Sequence, residues 1–171
     1  MITCTYISGP CCVGKSTVAS AVSDSFSSIS FIRGDDYWRT YTGLQFEERA
    51  LKTNQQILAT LQDSHASDLL CEWVPSRGPF VAQLFELCVS ARRQFLHVGL
   101  TAPIAVLQLR MRERDGVEDP VVRAVSAPEQ QTRYDCMVFD TEKETTASIA
   151  DEVSKWILSN KELKAMRDPA P

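Results

Sequence analysis

The chain has 171 residues, 44% of them hydrophobic and 23% charged; these proportions suit one soluble globular domain and exclude the low-apolar, high-charge signature of disorder. Eighteen Lys and Arg against 22 Asp and Glu leave a net charge of −4, so no overall positive field draws the chain to polyanions and a nucleic-acid partner is disfavoured. The apolar runs fall short of the roughly 20 residues that span a bilayer, and Met1-Ile2-Thr3-Cys4 lacks the start of a signal peptide, which points to the cytoplasm and away from membranes.

In chain order, apolar runs with strand character alternate with helical periodicity. The first candidate strand is Thr3 to Ser8, followed by a helix with Val18, Val22 and Phe26 on one face. A second strand, Ser30 to Arg33, leads to a helix marked by Leu51, Asn54, Leu58 and Leu61. Next come a strand over Asp68 to Val74 with a helix through Phe80, Leu84, Phe85 and Cys88, and a strand over Phe95 to Leu100 with a helix through Ala105, Leu109 and Met111. Pro103 fits the opening of that helix and Gly116 its end. The last pair is a strand over Cys136 to Asp140 and a helix through Ile149, Val153, Trp156 and Ile157.

This alternation predicts an α/β fold: a five-stranded parallel sheet between two helical layers, in one domain over residues 1–160. The polar segment from Asp115 to Arg133, with Pro120 and Pro128, reads as irregular, and Lys161 to Pro171 as a fraying tail. The six cysteines read as reduced thiols, with Cys4, Cys71 and Cys136 placed in apolar runs as small core hydrophobes. His65 falls in a polar stretch and His97 inside an apolar strand; neither is assigned a catalytic role.

The strongest motif is Gly9-Pro10-Cys11-Cys12-Val13-Gly14-Lys15-Ser16, which satisfies G-x-x-x-x-G-K-[ST] between a strand and a helix. Glycines at the fixed positions let successive N–H groups aim inward, and the following helix adds the positive end of its dipole, so the loop is expected to cage a phosphate. Lys15 would reach the β and γ phosphates, and the Ser16 hydroxyl would ligate Mg²⁺, while Thr17 bonds either backbone or an α-phosphate.

In parallel sheets ligands sit at the carboxyl ends of strands. Asp35 and Asp36 follow the second strand there, and Glu72 closes the third. Phosphoryl transfer to a hydroxyl needs a carboxylate at the acceptor oxygen and usually another acid for the metal. Asp35 would activate the acceptor, and Ser16 with Glu72 or Asp35 would organise Mg²⁺. Either acid of the Asp35-Asp36 pair could instead serve as a turn or helix cap.

These residues resemble the small P-loop kinases typified by shikimate kinase, gluconate kinase and chloramphenicol phosphotransferase, over about Met1 to Ile157. Gly34-Asp35-Asp36-Tyr37 looks like the family segment that carries the catalytic Asp, and Asp-Asp-Tyr is also similar to the phage polynucleotide 5′-hydroxyl kinase. Leu100 to Leu107, followed by Arg110, Arg112 and Arg114, looks like the strand-to-lid passage, with a lid over about residues 110–133. Tyr134-Asp135-Cys136-Met137-Val138-Phe139-Asp140-Thr141 is similar to the family's last strand and the loop that borders adenine.

The resemblance implies a P-loop NTPase fold with a helical lid, ATP and Mg²⁺ as cofactors, Asp35 as general base and Thr141 near the nucleotide. Arg110 and Arg114 share a helical face and are the expected phosphate-facing pair, from which Arg112 points away. The acceptor pocket would draw on Asp36, Tyr37, Trp38, Arg39, Trp73 and Arg77, although Trp38 and Trp73 could equally be core. The stretch Glu72 to Pro79 departs from the shikimate kinase pattern, which points away from shikimate itself. The leading expectation is a kinase acting on a hydroxyl of a small molecule. A nucleoside, nucleotide or polynucleotide kinase, and a nucleotide-binding module without transfer, are the alternatives.

Overall fold

The structure is a computed structural model that describes residues 3–74, 79–116 and 136–167, the side chains of 115 and 161–167 aside. Five strands, β1 (Thr3–Ser8), β2 (Ile29–Arg33), β3 (Asp68–Glu72), β4 (Gln94–Thr101) and β5 (Cys136–Asp140), form one sheet in the order β2-β3-β1-β4-β5. Every neighbouring pair is parallel. Parallel neighbours require long crossovers. The described ones contain α1 (Lys15–Asp24), α2 (Gly34–Thr40), α3 (Phe46–Asp63), α4 (Phe80–Ser90) and α5 (Ile104–Asp115), and α6 (Thr146–Arg167) follows the last strand.

Strand alternation divides the core in two. Cys4, Tyr6, Leu69 and Cys71 face α3 and α4, where Ile57, Leu61, Phe80 and Leu84 receive them. Ile7, Leu70, Leu96, Val98 and Leu100 face α1, α5 and α6, against Val18, Val22, Leu107, Ile149 and Val153. The sheet is therefore covered on both faces, and this is why β1 and β3 are buried at every position. The expected α/β architecture is the one observed.

Several helical faces differ from the sequence reading. On α3 the buried positions are Ala50, Thr53, Asn54, Ile57 and Leu61, and Leu51 is 57% exposed. On α5, Leu107 and Met111 are buried one turn apart while Leu109 is exposed, and Phe85 of α4 is partly exposed. Phe26 lies beyond the end of α1 and packs on the core from the connecting turn. Cys136 is only half-buried, unlike Cys4 and Cys71.

The third strand ends at Glu72 rather than Val74, and the short helix α2 is an element that the apolar pattern did not mark. Helix α5 opens after Pro103 and closes on Gly116 at φ 66 as expected. Helix α6 runs to Arg167, past Lys161 where the sequence reading starts its tail. The acceptor candidate Arg77, residues 117–133 of the expected lid, Tyr134, Asp135 and the end of the tail lie outside the described residues.

From β1 the chain crosses to β2 at one edge and returns through β3, and only later builds β4 and β5 on the other side of β1. The order thus reverses at β1, the place where open parallel sheets hold ligands beyond the carboxyl ends of their strands. The Gly9–Ser16 loop, Asp35 and Glu72 all stand at those ends.

Candidate functional site

After Ser8 the backbone turns at Gly9, whose φ is 149. A Cβ there would stand 2.6 Å from the Leu100 carbonyl oxygen and 2.9 Å from Val13 Cγ1, so only glycine lets the loop lie against β4. Gly14, at φ 99, opens α1, which has no acid in its first turn and no side chain capping its N-terminus. The first-turn amides and the positive end of the helix dipole are left to the loop. Val13 is fully buried and anchors the loop in the core.

Lys15 is 8% exposed and its Nζ donates to the Pro10 carbonyl at 2.9 Å, so the ammonium lies back over the loop. Burial pulls its pKa below the ordinary lysine value; Cys11, Glu72, Asp35 and Cys12 nearby pull it back up. The next residue, Ser16, donates from Oγ to Glu72 Oε1 at 3.1 Å. Glu72 is 3% exposed. Burial raises its pKa, the Lys15 charge lowers it and Asp35 raises it again.

Glu72 is held in place by both ladders of β3, opposite Ile7 of β1 and Arg33 of β2. Because β2 and β3 are neighbours, Asp35, two residues past Arg33, comes within electrostatic reach of both Glu72 and Lys15. Asp35 and Asp36 are both exposed in the first turn of α2, where carboxylates also favour the helix dipole. Two oxygen donors, a hydroxyl and a desolvated carboxylate, therefore meet beside a buried ammonium, with a solvent-facing carboxylate opposite. Such a set suits a hard divalent cation and an anion together.

On the other side of the loop, Arg110 of α5 grips the turn after β5. Its Nη1 donates to Thr141 Oγ1 at 2.9 Å and its Nη2 to the Thr141 carbonyl at 2.8 Å. That turn is wound tightly: Asp140 accepts from the Glu142 amide at 3.0 Å, and the Thr141 amide donates to the Thr101 carbonyl at 2.8 Å. A cavity of about 260 Å³ opens between this turn and the loop, lined by Cys12, Gly14, Thr17, Arg110, Thr141 and Thr146 among others. Arg114, one turn on from Arg110, is exposed and does not line it.

The residues expected at the acceptor pocket divide into two groups. Trp73 is 5% exposed, its Nε1 donates to Asn54 Oδ1 at 2.8 Å, and it packs over Gly34. Tyr37 donates to Thr60 Oγ1 at 3.1 Å and packs on the α3 side of the core. Trp38 is half-exposed between Phe46 and Trp73, with ring centroids 5.4 and 5.9 Å away, and Arg39 is exposed.

Sequence reasoning missed Arg49, whose guanidinium lies 4.0 Å over the Trp38 ring and whose Nε donates to the Trp38 carbonyl at 2.7 Å. It also missed Glu144 and Thr146, which line the cavity. Their only sequence signal is their place just after Asp140-Thr141.

No protein-family profile matches the chain, and no curated protein matches it in sequence. Solved structures do match its fold. A sugar kinase from Janibacter sp. superposes with a TM-score of 0.69 at 17% identity, over 92% of this chain and 95% of that one. A gluconokinase from Sinorhizobium meliloti gives 0.67 at 18% identity, over 97% of each chain. A shikimate kinase from Acinetobacter baumannii, solved with shikimate, gives 0.63 at 19% identity, over 94% and 96%. The structural neighbours are thus the P-loop kinase group that the motifs resemble, and the fold is theirs.

Proposed function

We propose that the chain is a cytoplasmic, single-domain kinase that transfers the γ-phosphoryl group of ATP, with Mg²⁺, to a hydroxyl of a small molecule. The observation that carries this reading is the convergence of Lys15, the Ser16–Glu72 pair and Asp35 at the carboxyl ends of three adjacent strands. The neighbours are named as kinases of a sugar, of gluconate and of shikimate, which supports a small acceptor.

In this reading the loop amides and Lys15 hold the β and γ phosphates, and Thr17, Arg110 and Thr141 border the rest of the nucleotide. Ser16 Oγ and the Glu72 carboxylate would hold Mg²⁺, a fit supported by the desolvated carboxylate, whose burial a cation would offset. Bound there, the ion would neutralise charge on the phosphate oxygens. Asp35 accepts the acceptor's hydroxyl proton on its carboxylate as the oxygen attacks phosphorus in line. Arg114, one turn on from Arg110, is assigned the positive charge toward the transferred group, and exclusion of water strengthens every one of these interactions. Asp36, Trp38, Arg39 and Arg77 are assigned to the acceptor side, with Tyr37 and Trp73 supporting its floor.

A panel of sugars, polyols, nucleosides, hydroxylated antibiotics and oligonucleotides, scored by acceptor-dependent ADP release, tests the reading. One class of small hydroxyl compound is expected to stimulate release. Stimulation by oligonucleotides alone, falling steeply with salt, would transfer the assignment to a polynucleotide acceptor. Nucleotide binding without transfer to any member would leave a binding module.

A further inference from the structure

Two thiols stand in the loop assigned above to the triphosphate. None of the six cysteines is in a disulfide; Cys4, Cys71 and Cys88 are buried between sheet and helices, whereas Cys11 and Cys12 are partly exposed. Cys12 lines the cavity beside Gly14, Thr17 and Arg110. Its backbone sits at φ 62, a left-handed conformation that costs a non-glycine residue about 1 kcal/mol. Pro10, one residue before Cys11, gives its carbonyl to Lys15 Nζ at 2.9 Å, so the ammonium lies against the loop backbone next to Cys11.

A disulfide reagent needs an accessible thiol, and the loop offers two of them near an ammonium. The electrostatic pull of Cys11 and Cys12 on Lys15 reports the same closeness. The G-x-x-x-x-G-K-S pattern leaves both positions free, so the phosphate-holding geometry does not itself demand cysteine.

We propose that Cys11 and Cys12 form a covalent modification site for low-molecular-weight disulfides of the oxidised glutathione type, whose capture closes the loop to nucleotide. The gating half of this proposal rests on the reading of the loop as the nucleotide site. In the step, a loop thiol gives its proton to water and its sulfur attacks one sulfur of the reagent. A new S–S bond forms as the reagent's S–S bond breaks, and the departing half leaves with the electron pair and takes up a proton. The cysteine sulfur is oxidised and the departing half reduced, so a dithiol reductant reverses the reaction. The attached group is bulky and anionic where the phosphates would lie, and excludes them by volume and by charge.

The test treats the full chain with oxidised glutathione, with and without MgATP, maps adducts by peptide mass, and follows binding of a fluorescent ATP analogue. The expected result is an adduct on Cys11 or Cys12 and none on Cys4, Cys71 or Cys88. Nucleotide affinity should fall about tenfold or more, return with dithiothreitol, and be protected by prior MgATP. Cys11→Ser and Cys12→Ser, each compared with its own untreated sample, assign the sulfur by loss of the adduct and of the treatment's effect. Adducts only outside the loop, or a loop adduct that leaves affinity unchanged, would overturn the proposal. An untreated chain that binds no nucleotide would overturn the functional reading, and the gating with it, and is told apart by the mapped adduct.

Discussion

Ser16 Oγ donates to Glu72 Oε1 across 3.1 Å, tying the first turn of α1 to the carboxyl end of β3. The carboxylate is buried and its pKa raised by that burial, which the Lys15 charge offsets only in part, so its charge is a burden on the fold until more positive charge comes near. Glu72→Gln keeps the shape and removes the charge. Without metal its melting temperature should match or exceed the wild type. Turnover should fall about a hundredfold and the Mg²⁺ requirement rise about tenfold. Titrating the rate against Mg²⁺ checks this; an unchanged curve would remove Glu72 from the metal.

Asp35 faces the same point from α2 and is exposed. Asp35→Asn should therefore leave the melting temperature alone and lower kcat by roughly 10²–10⁴, the range for losing a general base. Nucleotide affinity, measured by calorimetry, should change far less than kcat. Equal loss in both would make Asp35 a binding residue instead.

How far the sequence revealed this site depends on what kind of contact makes it. The loop and its lysine were legible because spacing alone determines them, and Asp35 was matched to Glu72 as soon as their strands were assumed adjacent. Arg49 over Trp38 and Asn54 beneath Trp73 were not, because those contacts arise only when α3 docks on α2 and the sheet end. The same docking sets the buried face of α3: Asn54, which the sequence reading already placed on that face, satisfies the Trp73 indole, while Leu51 turns out. Arg110 was found through its likeness to a family passage, but its two bonds to Thr141 bridge 31 residues and no local pattern announces them.

The Gly34–Trp73 contact sets where Asp35 stands. A Cβ on Gly34 would meet Trp73 Cε3 at 2.1 Å, and the ring cannot retreat while Asn54 holds its Nε1. Gly34→Ala should cost about 1–3 kcal/mol and lower the melting temperature by about 2–12 °C. It should also lower kcat, because α2 begins at this residue. Adding Trp73→Leu should recover part of the lost stability, so the two changes will be non-additive in a thermal double-mutant cycle.

The paired bonds from Arg110 to Thr141 hold in shape the turn after β5, which is proposed above to border the nucleotide. A lysine cannot reproduce the planar fork. Arg110→Lys should therefore weaken ATP binding about tenfold and leave the acceptor KM within about twofold. Calorimetry with a non-hydrolysable analogue separates this from a pure rate effect, which would appear as a lower kcat at unchanged affinity.

His97 gives the chain an acid limit. It is 1% exposed, stacks on Tyr6 with ring centroids 5.3 Å apart, and shares a 2.8 Å hydrogen bond with Ser8 through Nε2. Nδ1 has no partner among the described residues, so nothing there stabilises a second proton. Burial lowers its pKa from the ordinary 6.5 to about 4. In the unfolded chain the ring protonates near 6.5; in the folded chain it stays neutral until about 4. Between those values the unfolded state binds more protons, so stability is complete above 6.5 and declines as pH falls toward 4, by roughly 3 kcal/mol in all. His97→Phe removes the titration and keeps the stacking with Tyr6. Urea melts at pH 7 and pH 5 should show a smaller loss in the variant than in the wild type, and equal losses would locate the acid sensitivity in other groups.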